Sequence, residues 1–84
     1  MYNIEFSSTA EKQFFKLEKK IQERIIAVLE RIKVNPKPHI SRLVGSPYYK
    51  LRVGDYRVVL KLMLDEQIIL IVEMGHRKNI YDKL

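Results

Sequence analysis

The sequence predicts an α+β domain in which two N-terminal helices pack on a predominantly antiparallel four-stranded sheet. Three observations predict it. Apolar residues recur at steps of three and four between Ala10 and Ile32, which is the spacing of one helix face. Pro36 and Pro38 then stop that pattern, because proline cannot continue a helix and restricts the residue before it. From Tyr48 onward the chain alternates with a period of two, broken at Gly54-Asp55 and again at Asp65-Glu66. At 84 residues the chain is one domain, 1–84, that buries roughly 60% of its unfolded surface.

In chain order, Tyr2, Ile4 and Phe6 alternate with Asn3 and Glu5 as a short strand. Ser8-Thr9-Ala10-Glu11 fits a capping box, with the Ser8 hydroxyl accepting from the Glu11 amide. The stripe Ala10, Phe14, Leu17, Ile21, Ile25, Val28, Ile32 would make a single helix of roughly 36 Å, long for so small a globule. A break near Glu18-Lys19-Lys20 gives two helices that cover one sheet. His39 to Pro47 reads as a loop. Strands follow at Tyr48–Val53, Tyr56–Leu64 and Gln67–Met74, and the tail from Gly75 returns to basic and polar residues.

Composition narrows the function. There is no cysteine, so disulfides, thiolate metal sites and a cysteine nucleophile are excluded. His39 and His76 lie far apart without carboxylates at ligand spacing, and the three glycines form no phosphate-cradling loop, so neither metal nor cofactor is expected. No serine has a Ser-His-Asp arrangement around it. MYNIEF lacks the features of a signal peptide and no apolar run reaches the roughly 20 residues of a membrane span, so the expectation is a cytoplasmic protein. Sixteen Lys and Arg against ten Asp and Glu give a net charge of +6, which suits a polyanionic partner. Pro36 to Leu64 holds six of these cations and a single acid, Asp55.

The hairpin around Gly54-Asp55 concentrates that charge. A two-residue turn pairs Arg52 with Arg57, Leu51 with Val58 and Lys50 with Val59. One face then carries Tyr49, Leu51, Val53, Tyr56, Val58, Leu60, Leu62 and Leu64, for the helices to cover. The other carries Lys50, Arg52, Arg57 and Lys61. Like charges directly opposite destabilise a sheet, so this arrangement asks for a functional reason. A wet face can carry long basic side chains for solubility alone. Against that stand the near absence of acid and the arrival of Arg77 and Lys78 at the end of the next strand. A three-residue loop before that strand turns Ile68, Leu70, Val72 and Met74 inward, and a two-residue loop turns them outward.

The segment Tyr49-Lys50-Leu51-Arg52-Val53-Gly54-Asp55-Tyr56-Arg57-Val58-Val59, with His76-Arg77-Lys78-Asn79-Ile80-Tyr81 further on, resembles the RelE/ParE superfamily of type II toxin–antitoxin toxins, on its RelE-like branch. The resemblance spans nearly the whole chain and implies the RelE-like fold, a cognate RelB-like antitoxin in a toxin–antitoxin heterotetramer, and metal-independent cleavage of mRNA in the ribosomal A site. The family's catalytic residues correspond to Lys50, Arg52, Arg57, Arg77 and Tyr81, and further RNA contacts to Lys61, His76 and Lys78. Under that reading Lys50 is the base for the 2′-hydroxyl, Arg52 and Arg57 stabilise the phosphorane, and Arg77 supports the leaving oxygen, with His76 as an alternative proton donor. Tyr81 stacks on a base. Arg52 stands where a lysine is common in RelE, and arginine stabilises charge without serving readily as a base. The alternatives are a ParE-like inhibitor of DNA gyrase and a catalytically inactive, antitoxin-binding co-repressor.

Overall fold

The computed structural model describes residues 1–80. A short strand, β1 (Asn3–Phe6), leads into two helices, α1 (Ser8–Phe15) and α2 (Lys19–Ile32). A single 3-10 turn, Lys37–His39, precedes β2 (Ile40–Arg42), β3 (Tyr49–Val53), β4 (Tyr56–Met63) and β5 (Ile68–His76), and a one-turn helix, α3 (Arg77–Ile80), follows. The sheet has five strands in the order β1-β5-β4-β3-β2. Only β1 runs parallel, against β5, and the other neighbours are antiparallel.

The expected architecture stands, with one strand more. Within the segment read as a loop, Ile40, Ser41 and Arg42 pair with Leu51, Lys50 and Tyr49. A strand of three residues is too short for alternation to announce it. The helices do break, at Lys16 to Glu18, just before the expected place. With no Gly or Pro available, Gln22 Nε2 donates to the Leu17 carbonyl at 2.9 Å and so satisfies an acceptor freed by the break. The cap of α1 is Ser7, one residue before the expected Ser8: its hydroxyl accepts from the Ala10 amide at 3.0 Å. Ser7 wins because its hydroxyl also donates to the Val72 carbonyl at 2.7 Å, a contact across 65 residues.

That contact marks the main departure in β5. The β4–β5 loop has four residues, Leu64 to Gln67, with Gln67 in the left-handed region at φ 54°. Met63 therefore faces Ile68, and Ile69 and Ile71 turn inward in place of Ile68 and Leu70. The register then slips: Leu60 pairs with Ile71 but Val59 with Glu73, leaving Val72 as a bulge. Beyond it Met74 points inward and Glu73 outward, as the three-residue loop would have had it. The bulge falls where β1 ends, at the Phe6–Ile71 pair. Past that point α1 takes over the open edge of β5, Ser7 binding the Val72 carbonyl and Gln13 Oε1 accepting from the Met74 amide at 2.7 Å.

The core lies between the helix pair and one face of the sheet. Ala10, Phe14, Ile25, Leu29 and Ile32 pack on Leu51, Val53, Val58, Leu60, Ile69, Ile71 and Met74. Phe6 and Phe14 meet edge to face at 5.5 Å. Among the described residues no helix is long and apolar enough to cross a membrane.

Candidate functional site

The β3–β4 hairpin sets the site. Gly54, at φ 59°, is the first residue of its two-residue turn, and Asp55 needs no positive φ, the signature of a type II′ turn. This turn fixes the pairs Val53–Tyr56, Arg52–Arg57, Leu51–Val58 and Lys50–Val59, as the sequence predicts. Alternate residues therefore alternate in fate. Leu51, Val53, Val58 and Leu60 are sealed under the helices, while Lys50, Arg52, Arg57 and Lys61 take the opposite face.

The arginine pair is tolerated because the turn solvates one member with backbone carbonyls. Arg57 is only 7% exposed, and its Nη1 donates to the Gly54 carbonyl at 2.8 Å and the Tyr56 carbonyl at 2.9 Å. These two acceptors hold the buried guanidinium in place. Arg52 beside it is exposed. Lys50 is half-buried, in the next row across the strands, where Ser41, Lys50, Val59 and Glu73 are successive neighbours from β2 to β5. Glu73 thus places a carboxylate at the margin of the cationic face.

Five side chains line one cleft of about 240 Å³ on this face: His39, Ser41, Lys50, Arg52 and Arg57. Three belong to the expected site. His39 and Ser41 do not, and they arrive with β2: Ile40 is drawn inward against Leu51, so its neighbours on both sides turn to the cationic face. The apolar Ile40 between two polar residues was the available signal, too brief to read as a strand by itself.

The remaining expected residues are dispersed. Lys61 shares the face but pairs with Leu70, four residues along β4 from Arg57. Arg77 stands at the hairpin tip, its amide donating to the Asp55 carbonyl at 2.8 Å and its Nε 3.7 Å from Asp55 Oδ1. His76 pairs with Tyr56, and the two rings pack edge to face at 5.4 Å. Its ring nitrogen Nδ1 accepts from the Lys78 amide at 3.2 Å, and Lys78 itself is exposed on α3. Tyr81 lies outside the described residues.

A helix hairpin backing a five-stranded sheet, with a cationic cleft on the open face, defines a class of small basic α+β domain. Comparison with known proteins gives that class its family. The model of the ParE toxin of type II toxin–antitoxin systems (parDE) matches residues 4–81, and the chain belongs to this RelE/ParE toxin family. It is 29% identical to a toxin named RelE1 from Methanocaldococcus jannaschii, over 95% of this chain and 94% of that one. It is 25% identical to the mRNA interferase toxin RelE of Escherichia coli, over 93% of this chain and 85% of the relative. Among solved structures, the RelB–RelE antitoxin–toxin complex from Methanococcus jannaschii contains a chain that superposes with a TM-score of 0.75 at 29% identity, covering 95% of this chain and 98% of that one.

Proposed function

We propose that this type II toxin is an endoribonuclease that cleaves mRNA in the ribosomal A site, in the cytoplasm, without a metal. The observation that supports this best is the convergence of Lys50, Arg52 and Arg57 on one cleft. Cleavage by the RNA's own 2′-hydroxyl requires proton transfer at two oxygens and cationic stabilisation of a phosphorane between them. Arg57, clamped by two carbonyls, is a preorganised charge that needs no rearrangement as the transition state forms. Arg52 adds a second charge opposite it, and Lys50 is a proton-transferring group on the same strand. Arg77 at the hairpin tip reaches the substrate from the side once a phosphate competes with Asp55. Tyr81 stacks on a base, and Lys61, His76 and Lys78 contact RNA outside the cleft. The name of the E. coli relative, mRNA interferase toxin, points the same way. A RelB-like antitoxin is the expected partner, because solved relatives are complexes of toxin with antitoxin, and a heterotetramer is the assembly proposed.

The family description names ParE, which keeps a second reading in view, that of a ParE-like inhibitor of DNA gyrase. Primer extension on translated message, run beside a supercoiling assay, separates the two. Discrete cuts in message held on ribosomes are expected, with supercoiling unaffected. Intact message together with inhibited supercoiling would transfer the protein to the gyrase reading.

A further inference from the structure

We propose that His39 is the general base of this cleft and that Lys50 is its general acid, an assignment that rests on the RNA-cleavage reading above. His39 ends the 3-10 turn and immediately precedes Ile40, whose pairing with Leu51 extends the β2–β3 register to its edge. Inward Ile40 leaves His39 on the cationic face, two residues along from Ser41, the partner of Lys50, and in the same cleft as Arg52. Its backbone amide donates to the Pro36 carbonyl at 3.0 Å, and Pro36 and Pro38 stiffen the turn that presents it.

Among the described residues the cleft contains two arginines, a serine, a lysine and this one imidazole. Arginine remains protonated and cannot accept. Neutral imidazole accepts a proton readily near neutrality, whereas a lysine ammonium already carries the proton that a leaving oxygen needs. Lys50 and Arg52 from β3 and Arg57 from β4 line the cleft with His39, Lys37 lies on its own turn, and Glu73 on β5 stands in the same cross-strand row as Lys50.

The step balances without a metal or another reactant. His39 takes the 2′-hydroxyl proton as the 2′-oxygen bonds to phosphorus, and the P–O5′ bond breaks as the Lys50 ammonium protonates the departing 5′-oxygen. The products are a 2′,3′-cyclic phosphate and a 5′-hydroxyl end. Diagonal neighbours on adjacent strands stand roughly 7–8 Å apart, room for a phosphodiester between two proton carriers. The base role read from sequence for Lys50 thereby passes to His39.

The test is a pH profile of single-turnover cleavage on ribosome-bound message, with wild type, His39→Gln and His39→Ala. In wild type the rate should show a rising and a falling limb with pH, the signature of a base and an acid acting together. His39→Gln should be slower by about 10²–10⁴-fold and lack the rising limb. Added imidazole should restore His39→Ala by about tenfold or more. Both variants should still bind message carrying a 2′-deoxy nucleotide at the cut site as wild type does. A pH-independent loss without imidazole rescue would reduce His39 to a positioning residue and overturn the proposal, as would wild-type rates in both variants. Wild-type protein that leaves message whole would overturn the cleavage reading and this assignment together.

Discussion

The two faces of the β3–β4 hairpin are built from alternate residues of the same strands, yet they obey different rules. On the inner face Leu51, Val53, Val58 and Leu60 are at most 3% exposed and meet the helix pair. On the outer face only Val59 and Arg57 are buried, and Arg57 is held by the turn it flanks. The inner face trades side-chain freedom for apolar burial, each large residue stabilising the fold by about 1.5–3 kcal/mol. The outer face sets Arg52 against Arg57, at a cost to the sheet, and gains a concentrated positive field. Stability and chemistry are thus separated by a single residue step along one strand.

The largest breach of this division should come from the inner face. Leu60→Ala opens a cavity beneath the helices and should cost about 2–5 kcal/mol in denaturant unfolding. Surviving folded protein should retain the cleft's chemistry. Arg57→Ala is the instructive intermediate, because this residue serves both stability and chemistry. It should slow cleavage by about 10²–10³-fold and also destabilise by about 1–3 kcal/mol, since two turn carbonyls lose their donor. An Arg57→Ala protein as stable as wild type would mean that the carbonyl contacts contribute nothing to the turn.

Ser7→Ala should have the smallest effect, about 1 kcal/mol from the lost helix cap and somewhat more from the Val72 contact. Its sharper signature is local. Amide exchange should accelerate around Val72 and Met74 ahead of the rest of β5, because Ser7 and Gln13 close that edge. Uniform exchange along the strand would detach the bulge from the cap.

The hairpin was legible because its turn fixes everything. Gly54-Asp55 admits one loop length, and each pair follows from it. Strand β5 resisted because Ile68, Ile69, Leu70, Ile71 and Val72 are all apolar, so alternation has no polar partner by which to choose a face. The bulge that settles the matter is anchored by Ser7 and Gln13, more than 60 residues away in the chain. The site was legible to the same extent as the fold. Lys50, Arg52 and Arg57 lie on the readable hairpin and meet in the cleft. His39 and Ser41 depend on a three-residue strand whose pairing is tertiary, and they stayed hidden with it. Arg77 is bound to the hairpin tip by Asp55, an acid whose turn position gave no hint of a cross-strand partner.

Arg52→Ala tests the separation of the faces most directly, since Arg52 is exposed and belongs to the outer face alone. The measurement is the single-turnover rate of cleavage on ribosome-bound message, with the melting temperature taken on the same preparation. The expected rate is lower by about 10²–10³-fold, and the melting temperature equals wild type or is slightly higher, because the like-charge pair with Arg57 is relieved. A rate within about threefold of wild type, where the loss of one preorganised charge is expected to cost far more, would show that the cationic face is only a solvated surface and would contradict the account.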